Sequence, residues 1–599
     1  MDLPRLEEFE KAVYCRPGTD RIAENKVALD ALSQCLWPLR EGAHFAGHDY
    51  YRDARASYTR MASAIVALFC DPGFRLTREG FDHIAGNHSV IETIFAASAY
   101  ESSDFVFKLV TEKSEYVNKY LLLFGMNSEL DLDLEAVFRE DPQGTFGLYL
   151  SLLGYPHILT PQSDARRQKL ITMASIFEDV TPSTGLYNAL CGAYMHLSYA
   201  HGPDKHAPKR LFHTMLRRVL DPHVEESRCA PVLKKDQPTI VMVFEWWHST
   251  HAMYRSYAQS IRQLKRDFRI IGCCPGTNTD DIGRELFDEW IDFDGASLVL
   301  ADIAKKIRSF DPDILYYPSI GMAVWVIALS SMRLAPIQVM SYGHPATSNS
   351  PQIDYGIIEA DCYVQDRFSE KVITLPPNTV RPTPAGSITA RHTPRRSEVI
   401  RIGVAAMQVK VTWPFIQALM MIQDCAEKKV EIVFFSAVYG VGLFAYSQHL
   451  EKRIANLTVQ ERQHYPDYMQ SLAECDICLF SFPFGGANSV YDAVELGIPM
   501  VSMEGLEPHE RSDASIIRRC GLPESLIAHT PDEYAAAVLD LLDDDRRIAV
   551  ANQVAAVDLK GQFFKADDSG AFVDAFARIY RENTVVQVPN YPIYVKEAA

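Results

Sequence analysis

The apolar residues of this chain keep one spacing up to about residue 220 and another after residue 238, and that change of period limits the fold more than any single motif. In the first part, Tyr58-Thr-Arg-Met-Ala-Ser-Ala-Ile-Val-Ala-Leu-Phe, Val90-Ile-Glu-Thr-Ile-Phe-Ala-Ala-Ser-Ala-Tyr and Leu186 to Leu197 carry apolar residues three and four apart, the mark of helices buried along one face. No fixed repeat of about 34 residues recurs, so a regular helical solenoid is not supported. The stretch Asp221 to Pro238 is polar and punctuated by prolines. Beyond it, Thr239 to Phe244, Phe268 to Cys273, Ile314 to Tyr317 and Ile337 to Ser341 read as strands separated by amphipathic helices, the signature of a parallel sheet covered on its faces. A second proline-rich stretch, Leu375 to Pro394, interrupts this alternation. It resumes with Arg401 to Ala406, a helix from about Pro414, Glu431 to Ser436, Asp476 to Ser481 and Pro499 to Met503. The expectation is an all-α domain over 1–230 followed by two α/β units over 236–385 and 396–585.

Composition narrows the partners. With 599 residues and 47% hydrophobic content the chain can bury several cores. A formal net charge of -18 leaves no surplus of Lys and Arg to displace counterions, which argues against nucleic acid or an anionic membrane as the main partner. The first residues show no secretory signal, and the longest apolar stretches, such as Gly321 to Leu329, are too short for a membrane span. Twelve cysteines lie scattered without a disulfide framework, so a cytoplasmic location is expected. Cys475 and Cys478 form a lone Cys-x-x-Cys within a strand-like run and are assigned to packing.

Ligands of open parallel sheets bind beyond the carboxyl ends of strands, so polar residues placed there carry the functional reading. The richest such place is Ser481 to Gly505. Gly485 and Gly486 let backbone approach an anion, the helix beginning near Asn488 and Ser489 offers N–H groups and side chains to phosphate oxygens, and Asp492 falls one turn further, placed to accept from ribose hydroxyls. A capped helix after a strand would show the same residues, so both readings stand. His248 and His251 follow the strand Thr239 to Phe244, His344 follows Ile337 to Ser341, and Lys410 follows Arg401 to Ala406. Each also has a plain reading: a helix cap, a surface histidine or a solvated lysine. His248 and His251 have the spacing of zinc ligands, yet no third ligand lies at usable spacing. Asp311-Pro-Asp313 resembles a metal-binding Asp-x-Asp but precedes a strand and lies at the wrong sheet edge, so no metal and no cofactor are expected. Without a divalent ion, a helix terminus worth about 0.3–1 kcal/mol is too weak to stabilise a departing diphosphate, and Lys410 is the cation chosen for that task.

Taken in order, Trp247-His-Ser-Thr-His, Gly343-His-Pro-Ala-Thr, Gly403-Val-Ala-Ala-Met-Gln-Val-Lys and Phe482-Pro-Phe-Gly-Gly-Ala-Asn-Ser-Val-Tyr-Asp resemble the bacterial cytoplasmic N-glucosyltransferases that modify high-molecular-weight adhesins. More distantly they are similar to the catalytic region of O-GlcNAc transferase. The likeness extends to Arg60-Met-Ala-Ser-Ala-Ile, Tyr317-Pro-Ser-Ile-Gly-Met, Arg333-Leu-Ala-Pro-Ile-Gln and Gly521-Leu-Pro-Glu-Ser-Leu-Ile. It implies a GT-B pair of Rossmann-like halves behind an all-α domain. The implied reaction is metal-independent, inverting transfer of glucose from UDP-glucose to the asparagine amide of Asn-x-Ser/Thr in an acceptor such as a surface adhesin. By the same likeness Lys410 contacts the diphosphate, Asn488 and Ser489 its oxygens, and Asp492 the ribose. His344 lines the donor pocket, and His251 faces the acceptor with His248 beside it. The chain departs from the family pattern at Ala437-Val-Tyr-Gly-Val-Gly, where a glutamine is expected, at Gly485 and Gly486, where more polar residues are expected, and around Trp37 to Phe45, which aligns poorly. Alternatives are O-linked transfer to Ser or Thr from UDP-GlcNAc or UDP-glucose, a catalytically silent peptide-binding module, and an epimerase on the same scaffold.

Overall fold

A computed structural model describes residues 3–18, 20–42, 50–110, 117–220, 232–295, 299–384, 386, 388–565 and 569–585. Residues 221–231 of the expected linker, and 43–45 at the end of the poorly aligned aromatic segment, lie outside them. The chain forms two compact units. One comprises residues 1–215, 361–367 and 386–562, the other residues 216–360, 368–385 and 563–599.

The first unit joins the helical region to the second sheet. Its helices begin where the sequence supplies caps. Asp20 accepts from the Ile22 and Ala23 N–H groups at the start of Arg21–Arg40, Asp141 precedes Pro142–Leu153, and Thr160 with Ser163 forms a capping box on Pro161–Thr172. The helical region does not stand apart, because helix His88–Ala97 packs against helix Gly440–Glu451 of the sheet layer. Gly440–Glu451 is buried almost all round, and Phe444 meets Tyr58 edge-on at 5.5 Å. The sheet itself runs Leu457–Glu461, Lys429–Val438, Val399–Val404, Ile477–Leu479, Met500–Met503 and Ile527–Ala528 from edge to edge, all parallel.

The other unit is built on a seven-stranded parallel sheet in the order Glu289–Phe293, Arg269–Pro275, Thr239–Val243, Ile314–Tyr317, Ile337–Ser341, Tyr355–Glu359 and Lys371–Leu375. Thr239–Val243, Ile314–Tyr317 and Ile337–Ser341 are buried at every position, as strands covered on both faces must be. Helix Ala571–Asn583 completes this core. Phe576 packs on Tyr316 at 5.0 Å, Phe572, Val573 and Ile579 are fully buried, and Thr584–Val585 pairs with Val232–Leu233. Residues 563–565 and 569–585 therefore pack with the first sheet, whereas the expected span 396–585 puts them with the second. Each of those apolar side chains contributes about 1.5–3 kcal/mol of gross burial energy to the first-sheet unit. Among the described residues no helix is long and apolar enough to cross a membrane.

Candidate functional site

The second sheet positions two neighbouring loops. After Val399–Val404 the chain enters a short turn, Gln408–Lys410, and then helix Trp413–Cys425. After Ile477–Leu479 it runs through Phe482 and Phe484 to the glycine pair and helix Asn488–Leu496. Thr412 Oγ1 donates to the Phe482 carbonyl at 3.0 Å and pins the loops together. Lys410 is half-buried; its Nζ donates to the Gly485 carbonyl at 2.6 Å and lies 4.6 Å from the centre of the Phe484 ring. Burial pulls its ammonium down to about 8, and the nearby Asp513 carboxylate opposes that shift. The helical region supports the same turn. His157 Nε2 and Gln408 Oε1 are 2.7 Å apart; because an amide oxygen only accepts, the ring donates, and burial holds His157 neutral by lowering it to about 4.

The structure thus brings Lys410 to the turn that opens the Asn488 helix, as the strand ends predict. It changes the account of that turn in two ways. The expectation is of unpaired N–H groups open to a phosphate, but the Gly486 and Ala487 N–H groups donate to Asp513 Oδ2 and Oδ1, each at 2.7 Å. Gly485 is required because a Cβ there would stand 2.4 Å from the same carboxylate, and at Gly486 a Cβ would meet the Phe480 ring at 2.8 Å. The anion approached by this glycine pair belongs to the chain itself. The Ser489 N–H donates to the Gly486 carbonyl at 3.3 Å, and Asp492 is buried and accepts from the Tyr465 hydroxyl at 2.6 Å.

The first-sheet unit gathers the histidines. His251 caps helix Ala252–Leu264, its Nδ1 accepting from the Met253 N–H at 3.3 Å, and its ring stacks on Trp246 at 6.0 Å. A neutral imidazole that accepts at Nδ1 carries its proton on Nε2. Burial, and then His248, push His251 below its usual range. His248 is half-exposed, with Nδ1 3.0 Å from Thr250 Oγ1 and 3.3 Å from Asp280 Oδ2. His344 is buried in the loop after Ile337–Ser341, where a Cβ on its neighbour Gly343 would lie 2.3 Å from the Met253 side chain, so the two histidine loops abut.

Three arrangements escape the sequence reading. Glu245, buried at the end of Thr239–Val243, accepts from Ser319 Oγ and from the Gly321, Met322 and Ala323 N–H groups at 2.6–2.9 Å, so it builds the neighbouring strand-end loop. Asp513 acts on backbone N–H groups in the same way. His206, Glu507 and His509 place one ligand atom each within 4.8 Å of one another. Lys205 Nζ lies 2.9 Å from His509 Nε2 and Arg367 is 3.9 Å from Glu507, and these cations disfavour a divalent ion. The Glu-x-His spacing of Glu507 and His509 is the signal that could have found the trio, and it says nothing of the distant His206. Asp311 and Asp313 pair with Lys235 at 3.1 and 3.0 Å, and Cys475 and Cys478 are buried thiols pushed up by desolvation, in keeping with the packing role assigned to them.

Comparison with known proteins agrees with the motif resemblance. The HMW1C N-terminal family profile matches residues 42–126 and that of HMW1 domain 2 matches residues 135–220. The UDP-glucose:protein N-beta-glucosyltransferase of Actinobacillus pleuropneumoniae serotype 5b is 29% identical over 518 residues, covering 81% of this chain and 83% of the relative. The probable UDP-N-acetylglucosamine--peptide N-acetylglucosaminyltransferase SPINDLY of Hordeum vulgare is 28% identical over 267 residues, 40% of this chain and 27% of its own. A solved O-GlcNAc transferase of Thermobaculum terrenum, a point mutant, superposes with a TM-score of 0.60 at 16% identity, covering 93% of this chain and 98% of that one, and so shares the fold. With an all-α region, two parallel sheets and both HMW1C-family segments, this chain is similar to the UDP-glucose:protein N-beta-glucosyltransferases over 81% of its length and shares the fold of the O-GlcNAc transferase.

Proposed function

We propose that this protein transfers glucose from UDP-glucose to the side-chain amide of asparagine in Asn-x-Ser/Thr sequons of an acceptor protein, inverting the anomeric centre and using Lys410 in place of a metal. The observation that carries the reading is the similarity, over 81% of this chain, to a UDP-glucose:protein N-beta-glucosyltransferase, and Lys410 at the glycine turn gives it a chemical basis. A cation in a desolvated setting stabilises the negative charge that builds on the leaving diphosphate far more than it would in water. Asn488 and Ser489 at the helix start offer further donors, Asp492 accepts from the ribose, and His344 lines the donor pocket.

An amide nitrogen is a poor nucleophile because its lone pair is shared with the carbonyl, so the acceptor must be held in a reactive geometry or lose a proton as the bond forms. With Nδ1 committed to the Met253 N–H, His251 has a proton rather than a lone pair at Nε2. Orientation of the acceptor by donation from Nε2, beside His248, suits that tautomer better than deprotonation. The acceptor is a surface adhesin modified in the cytoplasm.

Incubation with a panel of UDP-sugars and an Asn-x-Thr peptide, followed by intact mass and fragment mapping, tests the reading. Addition of one hexose to asparagine is the expected result. Modification of Ser or Thr would replace it with O-linked transfer, UDP-sugar conversion without peptide would indicate an epimerase, and no turnover with any donor would indicate a binding module.

A further inference from the structure

We propose that Asp513 is a positioning residue of the donor cradle, fixing the glycine turn through its backbone N–H groups and holding the positive charge on Lys410. The inference rests on the reading that Lys410 and this turn receive the diphosphate. Asp513 lies on helix Pro508–Arg519 and is 2% exposed. A buried carboxylate persists as an anion only with hydrogen-bond and charge partners. Here they are the Gly486 and Ala487 N–H groups, Ser512 Oγ at 3.2 Å from Oδ1, and the charge of Lys410. One turn earlier on the same helix the His509 carbonyl accepts from the Gly485 N–H at 3.0 Å. A single helix therefore grips three successive turn residues, and Lys410 grips the carbonyl of the first.

The turn needs that grip. Ala487 adopts φ 49°, a left-handed conformation costly for a residue with a Cβ, immediately before the Asn488 helix. The charge on Lys410 needs it as well. Around its ammonium lie the Phe484 ring, the Gly485 carbonyl and the Asp513 carboxylate. In its own turn Gln408 and Val409 carry no charge. His509 stacks on Phe484 and is bonded to Lys205, while Cys478 and Tyr534, which face Asp513, are both held neutral by burial. Asp513 is the negative charge among these groups, so its loss lets Lys410 deprotonate at lower pH.

The test compares wild type, Asp513→Asn and Asp513→Glu by UDP calorimetry and by transfer kinetics from pH 6 to 10. Asp513→Asn is expected to raise KM for UDP-glucose about tenfold and to move the alkaline fall of kcat/KM to lower pH by about one unit. Asp513→Glu keeps the charge but displaces the turn; it is expected to restore the position of that fall while leaving KM raised. Should Asp513→Asn fail to fold, the Asp513→Glu pair of readouts decides alone, because a purely structural residue would not separate KM from the pH profile. Wild-type KM and an unmoved alkaline limb in Asp513→Asn, or no such separation in Asp513→Glu, would overturn the inference. Wild-type protein that neither binds UDP nor transfers glucose would instead overturn the donor-site reading beneath it.

Discussion

Lys410 and His251 both follow the carboxyl end of a central strand, the first on the second sheet and the second on the first sheet, yet their surroundings differ. Around Lys410 nearly every polar group is held by a buried or half-buried partner: Gly485 by the ammonium and the His509 carbonyl, the next two N–H groups by Asp513, Asp492 by Tyr465. Around His251 the loop is open. His248 is half-exposed and bridged to a partly exposed Asp280, Trp246 is 40% exposed, and one 3.3 Å bond sets the His251 ring. On the proposed reading the Lys410 side receives a diphosphate, which has the same shape in every turnover and rewards donors fixed in advance, whereas the His251 side receives a peptide, which varies in sequence and needs a compliant rim.

The largest expected effect is on the rigid side. Lys410→Ala should lower glucose transfer about 10³-fold, read as kcat/KM for UDP-glucose, and equal losses for the two sides would erase the contrast. His251→Ala should cost about 10²-fold in kcat while UDP affinity measured by calorimetry stays unchanged; a parallel loss of UDP affinity would move His251 to the donor side. The pH dependence sharpens the distinction further. Because Lys410 in the free protein titrates at about 8, kcat/KM should fall about tenfold per unit above that pH. Its folded value lies below the ordinary 10.5, so the native state binds fewer protons between those limits. Stability is therefore greatest above that window and falls as pH drops through it. Lys410→Met should then be more heat-resistant than wild type at pH 7, by about 2–4 °C, and lose that advantage near pH 10. The smallest change belongs to the open rim: His248→Ala removes a surface polar contact with Asp280 worth about 0–1 kcal/mol and should alter transfer no more than about fivefold.

The sequence shows the middle of both sheets because strands such as Ile314–Tyr317 and Ile477–Leu479 are unbroken apolar runs. Glu289–Phe293, Lys371–Leu375 and Leu457–Glu461 at the sheet edges mix charged and apolar positions and do not read as strands. Lys410, Gly485 and Asn488 are legible for a related reason: each follows a recognisable strand. Asp513 is not, since it sits within a charged helix, Pro508-His-Glu-Arg-Ser-Asp, and its partners are backbone N–H groups that leave no trace in side-chain pattern. The period of Ala571–Asn583 marks a helix with one apolar face but cannot say which sheet will receive it.

That receiving sheet imposes an order on synthesis. The last strand of the first sheet ends at Leu375, and the helix that covers Tyr316 and Phe268 begins only at Ala571. At about 5–20 residues per second a ribosome needs roughly 10–40 s to cross that interval. Throughout it Phe268 and Tyr316 lack the Phe572 and Phe576 rings that cover them in the finished fold, and apolar surface left open during synthesis in this way favours aggregation.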